Sequence, residues 1–349
     1  MAVSIEQVTE ALKKINYPGL TRDIVSFGMV KDIKIDGDAV ELLINFTTND
    51  LKIKDELYNQ IRDAVLGVEG VKNVNPVIEA KQYQDPKDKN PFDDQAPIPG
   101  IKSILAVASG KGGVGKSTVS TNLAIALVQK GLKVGLLDAD VYGPSVQMMM
   151  GSDAKPAANS ENKIFPVEKF GLKMMSMGFI VDQDVPIIWR GALATKAIKQ
   201  FLGDVLWGEL DVLVIDMPPG TGDIQLTLVQ QTPLSGALIV TTPQDVALLD
   251  ARRGLKMFEK VDVPVVGIVE NMSYYICPKC GHKDHIFSSG GGERAAGELN
   301  TEFLGELPID AEVAIAGDEG EPIILRKPEG EHAKRFTKIS EKIISILKI

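Results

Sequence analysis

The sequence predicts an α/β protein, built as a doubly wound, mostly parallel sheet domain with a small α+β domain at its N-terminus. Three observations carry that prediction. Short apolar runs at Ile104 to Ala108, Val134 to Leu137, Val212 to Ile215, Ala237 to Val240 and Val265 to Val269 alternate with helical stretches. That is the pattern of parallel strands covered on both faces. The first run leads into Gly110-Lys111-Gly112-Gly113-Val114-Gly115-Lys116-Ser117-Thr118, a glycine-rich loop between a strand and a helix. Residues 1–79 carry a helix, a hairpin and a second helix of their own before a proline-rich break. A chain of 349 residues, 44% of them hydrophobic, has material for one large core and one small core.

In chain order, Ser4 and Gln7 form a capping box for a helix running to about Lys14. Val30, Ile33 and Ile35 lead to the turn signal Asp36-Gly37, and Val40, Leu42, Ile44 and Phe46 alternate on the return strand. A helix follows from about Asn49 to Leu66, and Val71, Val74 and Val77 suggest a last short strand. Residues 80–99 read as a linker, because Pro86, Pro91, Pro97 and Pro99 stand among charged and polar residues with almost nothing to bury. The large domain is expected over 100–349. Its first helix places Leu123, Ala124, Ala126 and Leu127 at helical spacing, and its last, about Glu331 to Leu347, sets Phe336, Ile339, Ile343, Ile344 and Leu347 on one face for packing against the core.

A formal charge of −9 argues against a general nucleic-acid binder or an anionic-membrane binder. Met1 to Tyr17 is broken by Glu6, Glu10, Lys13 and Lys14 and lacks the apolar centre of a secretory signal. No run approaches a membrane span, so a cytoplasmic protein is expected. The two cysteines, Cys277 and Cys280, lie close together, which points to metal or redox chemistry ahead of structural disulfides.

The glycine-rich loop meets the phosphate-binding pattern G-x-x-x-x-G-K-[ST] at Gly110, Gly115, Lys116 and Ser117. Amides at the following helix N-terminus would face a nucleotide phosphate, Lys116 would hold the terminal phosphates, and Ser117 would ligate Mg²⁺. Asp138-Ala139-Asp140-Val141-Tyr142-Gly143-Pro144-Ser145 ends the second strand, where open α/β sheets bind ligands. Asp140 is expected to orient the attacking water or sense Mg²⁺, and Asp138 to back a magnesium ligand; the alternative is that both cap the next segment. Asp216-Met217-Pro218-Pro219-Gly220-Thr221-Gly222-Asp223 follows the apolar Val212 run as a Walker B strand end. Asp216 would hold Mg²⁺ through water, the Gly220 amide would sit near the terminal phosphate, and Asp223 would cap the helix Ile224 to Gln231. Asn271, after Val265 to Val269, would either read an adenine edge or form a turn.

Three chemistries fit Cys277-Pro278-Lys279-Cys280. A closed zinc site would draw on Cys277, Cys280, His282 and His285 within one chain, although the spacing is compressed. A [4Fe–4S] cluster wants four thiolates, and one chain supplies two, so a symmetric dimer would share it. A dithiol cycling with a disulfide is the third.

Lys111, one residue after the first glycine, resembles the deviant Walker A loop of the MinD, ArsA, NifH and Mrp group, in which that lysine reaches across a dimer interface to the partner's nucleotide. Together with Asp138 to Ser145, Asp216 to Asp223, Thr242-Pro243-Gln244-Asp245, Glu270-Asn271-Met272-Ser273 and the cysteine pair, the chain after Gly100 is similar to the Mrp/ApbC family of iron–sulfur cluster carrier ATPases. Residues 1–79 resemble the small domain that some members carry, through Tyr17-Pro18-Gly19-Leu20 and Val25-Ser26-Phe27-Gly28-Met29-Val30. The resemblance implies a homodimer that binds ATP and Mg²⁺ at each subunit and hydrolyses ATP slowly. It further implies a bridging [4Fe–4S] cluster, received from donor or scaffold proteins and passed to apo-proteins. Lys111, Lys116 and Asp140 are then the catalytic residues, and Cys277 and Cys280 hold the cluster. Standalone relatives of the small domain often use a cysteine, and this one has none, so cluster ligation there is excluded. The runner-up is a ParA/MinD-type positioning ATPase, which needs a membrane-binding tail or a basic DNA surface; Arg335 to Ile349 is the stretch that would serve as the tail. A zinc-stabilised binding protein is the third reading.

Overall fold

Ser4 and Gln7 close the expected capping box: the Ser4 hydroxyl accepts the Gln7 amide at 3.3 Å, and the Gln7 side chain accepts the Ser4 amide at 3.1 Å. In this computed structural model, residues 3–17, 22–45, 51–78, 95, 97–180, 191–220 and 222–349 are described. The chain divides into two units, residues 1–93 and 94–349.

In the first unit, helix α1 spans Ile5–Leu12, strand β1 Val30–Asp36, strand β2 Ala39–Ile44, helix α2 Leu51–Leu66 and strand β3 Asn73–Ile78. The first helix stops two residues short of the expected Lys14, with Lys13 as its C-cap. Strands β1 and β2 form the hairpin predicted at Asp36-Gly37, and β3 adds parallel to β2. Phe46 and Asn49 lie outside the described residues. Val8, Leu12, Ile24, Met29, Leu42, Ile44, Leu57 and Ile61 are buried in one cluster between helices and sheet. Each such side chain contributes about 1.5–3 kcal/mol by leaving water.

The second unit begins with strand β4 at Ile101–Ala108 and helix α3 at Lys116–Gln129. Next come β5 (Val134–Asp138), α4 (Val146–Met149), β6 (Val167–Lys169), β7 (Leu172–Ser176), α5 (Gly191–Gly203), β8 (Leu210–Asp216) and α6 (Asp223–Gln231). The chain continues through β9 (Gly236–Thr241), α7 (Asp245–Lys260), β10 (Val265–Ile276), β11 (Lys283–Asp284) and α8 (Gly291–Glu298). It ends with β12 (Phe303–Ile309), α9 (Ala311–Asp318), α10 (Ile323–Arg326) and α11 (Glu331–Leu347). Among the described residues one sheet has the order β11-β10-β9-β4-β8-β5-β7-β6, with β12 also paired to β10. Among the described strands of this sheet, only β6 and β11 pair antiparallel.

Alternation inside the strands divides the core. Leu105 and Val107 face a layer with Leu123, Leu127, Phe336, Ile339 and Ile343, while Ile104 and Ala106 face one with Phe201, Trp207, Leu228 and Phe258. Helix α11 is thus committed to packing over its apolar face, as its spacing predicts. From β4 the chain crosses to β5, past the place later taken by β8, and β9 then adds on the other side of β4. The loops after β4, β5 and β8 therefore meet at one carboxyl edge, the switch point of the sheet.

Two expectations need correction. Gly222, in extended conformation, is the N-cap of α6, and Asp223 is the first helical residue. The strand read as Val265 to Val269 continues through Asn271 to Ile276, because its second half pairs with both β11 and β12.

Candidate functional site

Gly115 places the phosphate-binding loop at the N-terminus of α3. It is the N-cap at φ +81°, and a Cβ built there would stand 2.2 Å from the Asn271 side-chain nitrogen. Only glycine accepts both the left-handed backbone and that approach. Gly110 is required for space alone, since a Cβ there would meet the Asp250 backbone of α7 at 2.2 Å. Val114 is buried beneath the loop, while Gly112 and Gly113 are exposed at its crest.

Lys116 and Ser117 converge on the Walker B carboxylate. The Lys116 ammonium lies 2.7 Å from Asp216 Oδ1, and the Ser117 hydroxyl donates to Asp216 Oδ2 at 2.6 Å. Lys116 is 6% exposed and Asp216 0%, so each charge depends on the other. Ser120, one turn into α3, also reaches Asp216 Oδ1 at 2.7 Å. Sequence reading missed it, and its signal was a polar residue facing inward from an otherwise buried helix. Ser117 and Asp216 offer adjacent hard oxygen donors, the set that suits Mg²⁺.

Asp138 is buried at the end of β5 and organises the loop that follows. Its Oδ1 accepts the Asp140 amide at 3.1 Å, and its Oδ2 accepts the amides of Ser145 and Val146 and the Ser176 hydroxyl at 3.0–3.1 Å. Burial, reinforced by the Asp216 charge, pushes its carboxyl up to about 7. Both oxygens are therefore engaged in holding the loop and capping α4. Asp140 is half-buried, and burial raises its carboxyl above the ordinary value, with the nearby Lys116 ammonium pulling the other way. The Gly220 amide donates to the Ser109 carbonyl at 3.0 Å, tying the Walker B loop to the start of the phosphate loop.

Asn271 is neither an isolated turn residue nor beyond the strand. Buried in β10, it donates to the Val114 carbonyl at 2.9 Å and braces the loop from below. With Gly115 and Thr118 it lines a cavity of about 580 Å³ whose other wall comes from Met148, Met272 and residues 308–318. That second wall was not legible in the sequence, since β12 and α9 reach the site only through the sheet. Lys111 is half-buried, and no carboxylate among the described residues pairs with it.

Strand β10 runs from the Asn271 brace to the cysteines. The Cys277 amide donates to the His282 carbonyl and the Gly281 amide to the Cys277 carbonyl, both at 2.9 Å, closing a tight knuckle. The amides of Lys279 and Cys280, with the Cys280 thiol, hold the Cys277 thiol below its usual range. Cys277 is half-buried and Cys280 exposed. Among the described residues no three His, Cys, Asp or Glu side chains gather as a metal site. His285 instead places Nδ1 3.0 Å from the Ser273 carbonyl and stands edge-on to Tyr274. The one-chain zinc site drawn from Cys277, Cys280, His282 and His285 is therefore not assembled.

Comparison with known proteins bears on the family and the fold. A family model described as NUBPL iron-transfer P-loop NTPase matches residues 100–344, and one described as iron-sulfur cluster assembly protein matches residues 5–75. A protein of Haemophilus influenzae named iron-sulfur cluster carrier protein is 44% identical over 97% of this chain and 90% of its own length. The Escherichia coli protein of the same name is 40% identical over 97% of this chain and 91% of its own. Among solved structures, a nucleotide-binding protein of Archaeoglobus fulgidus in complex with ADP is 39% identical with a TM-score of 0.59, covering 68% of this chain and 93% of that one. The cell division ATPase MinD of Pyrococcus furiosus, 23% identical with a TM-score of 0.54 over 70% of this chain and 99% of its own, shares the fold.

Proposed function

The chain belongs to the family of NUBPL-type iron-transfer P-loop NTPases, and we propose that it carries iron–sulfur clusters to apo-proteins under the control of ATP. In this reading two subunits each present Cys277 and Cys280, and the four thiolates hold one [4Fe–4S] cluster as cargo between them. The observation that carries it is strand β10, which touches the phosphate loop through Asn271 and ends in the cysteine knuckle. One covalent element thereby joins the nucleotide site to the cargo site. The knuckle supports it further: amide donors favour thiolate, and among the described residues no further ligand gathers beside the two cysteines. A shared, exposed cluster is also easier to surrender than one enclosed by four cysteines of one chain.

At the nucleotide, the Gly110 to Thr118 loop cradles the phosphates and Lys116 leaves Asp216 to neutralise them. Ser117 and Asp216 would hold Mg²⁺, which would supply charge neutralisation at the phosphates. Asp140 takes the water, Asp138 keeps the Asp140 loop in place, and Lys111 reaches the partner's nucleotide. The cavity beside Asn271 receives the nucleoside. The Asn271 amide would share its donors between the Val114 carbonyl and the base. Slow hydrolysis then alters the subunit interface through the loops after Asp138 and Asp216, and so the hold on the cluster. Residues 1–79, without a cysteine, recognise donors or clients.

The positioning-ATPase alternative is less well supported, because Phe336, Ile339 and Ile343 of its would-be membrane tail are buried against the sheet. Anaerobic reconstitution with iron and sulfide tests the proposal. About four irons and four sulfides per dimer mass, transferable to an apo-acceptor, is the expected result. One zinc per chain with no sulfide-dependent absorption would overturn it.

A further inference from the structure

The corner between β12 and α9, residues 308–311, lines two cavities: the one beside Asn271 and a second of about 340 Å³. Ile276 and Pro278, the chain neighbours of Cys277, line the second, so it lies against the cysteine knuckle. Ile309 and Ile323 add apolar wall, and Asp310 and His332 supply a polar end. The His332 side chain is 7% exposed. Its Nε2 stands 3.1 Å from the Pro308 carbonyl, which only accepts, so Nε2 carries a hydrogen. Burial holds the imidazole below its ordinary value, so the ring is neutral near pH 7 and Nδ1 is a bare acceptor. Nδ1 makes no hydrogen bond among the described residues, yet it is not one of the fully enclosed unbonded atoms, which leaves it open to the cavity. Asp310 Oδ2 lies 4.0 Å from it, while Oδ1 accepts the Glu312 amide as the cap of α9. Two acceptors thus face one another with no donor between them.

The other charges around the cavity are matched. Lys327 pairs with Glu312 at 3.3 Å and Arg335 with Glu331 at 2.8 Å, whereas Asp310 has no lysine or arginine partner among the described residues. No third His, Cys, Asp or Glu joins Asp310 and His332 as a metal site there. We propose that this cavity receives the lysine side chain of a protein that gives or receives the cluster, an inference that rests on the carrier reading above. An ammonium has three donors and no acceptor, and hydrogen bonds of about 2.7–3.2 Å let one nitrogen reach both Nδ1 and Oδ2. Its aliphatic stem would lie along Ile276, Pro278, Ile309 and Ile323. A lysine seated there would hold its own protein against the knuckle.

The test uses the full-length protein with ¹⁵N-labelled histidine; the chain has three histidines, and His332→Gln assigns the signal. n-Butylammonium, a lysine side-chain mimic, should shift His332 Nδ1 saturably with a Kd of about 1–10 mM. n-Butanol, or sodium chloride at the same ionic strength, should not. Asp310→Asn keeps a good helix cap and removes the charge, and should weaken butylammonium about 10-fold. Cluster transfer is then measured to a lysine-rich apo-acceptor and to the same acceptor with its lysines acetylated, which removes their charge. Acetylation should raise KM for the acceptor severalfold in the wild type and change it less than twofold in Asp310→Asn. No shift at His332, or an equal shift with n-butanol or salt, would overturn the inference and leave a bridging water as the occupant. An acetylation effect of equal size in both proteins would also overturn it. A wild type that holds no cluster would overturn the carrier reading, and the inference with it, whatever the histidine signal shows.

Discussion

Replacing Gly115 by alanine tests how the phosphate loop is held. Two costs follow from the structure. Alanine at φ +81° strains the backbone by about 1–2 kcal/mol. Its Cβ, 2.2 Å from the Asn271 nitrogen, also drives that amide off the Val114 carbonyl, and buried groups left unpaired cost about 1–3 kcal/mol more. Gly115→Ala should therefore destabilise the large unit by about 2–5 kcal/mol. Asn271→Ala alone loses the same hydrogen bond and should cost about 1–3 kcal/mol. In the double variant the bond is lost once and the collision is absent, so the combined cost should fall short of the sum by about 1–3 kcal/mol. Urea unfolding followed by tryptophan emission reads all three, since Trp207 is buried in this unit. Strict additivity would show that Gly115 and Asn271 do not meet as described.

Cys277→Ala should abolish cluster binding in anaerobic iron and sulfide analysis while ADP affinity is unchanged; a full cluster on that variant would refute the ligand assignment. Lys111→Ala should retain nucleotide binding within a fewfold, because Lys116 supplies the charge within the subunit, yet lose ATP-dependent dimer mass by light scattering and most turnover. Folded Asp138 keeps its proton to about pH 7 whereas the unfolded residue releases it near 3.8, so the folded state binds more protons across that window and its stability falls as pH rises from about 4 to about 7. Asp138→Asn carries a constant penalty from the loop amides but not this slope, so the stability difference between wild type and variant should shrink from pH 5 to 7 in urea titrations. A gap independent of pH would contradict the burial argument.

Much of this was local and therefore legible. A capping box, the Asp36-Gly37 hairpin, the amphipathic α11 and the strand before each carboxyl-edge loop depend on residues a few positions apart, and the structure places them at or within a few residues of their expected ends. The glycine loop could be placed for the same reason, since its pattern has fixed spacing, and Asp216 because it ends an apolar strand run. Strand β12 and the small helices α8 to α10 were not read, because short segments among glycines and charges show no clear period. Asn271 could be singled out but not understood: its partner Val114 is 157 positions away.

The sequence by itself determined the two-domain α/β plan, the nucleotide loop and a thiol pair too few for a cluster in one chain, because backbone period, glycine spacing and cysteine number are properties of the chain. Only the tertiary structure decided that Asp138 spends its oxygens on its own loop, that Ser120 and Lys116 share Asp216, and that His332 lines a cavity with Asp310. It also decided that one strand links Asn271 to Cys277. The physical reason is that a buried polar group must find its partners in three dimensions, and the parallel sheet brings them together from strands and helices far apart in the chain.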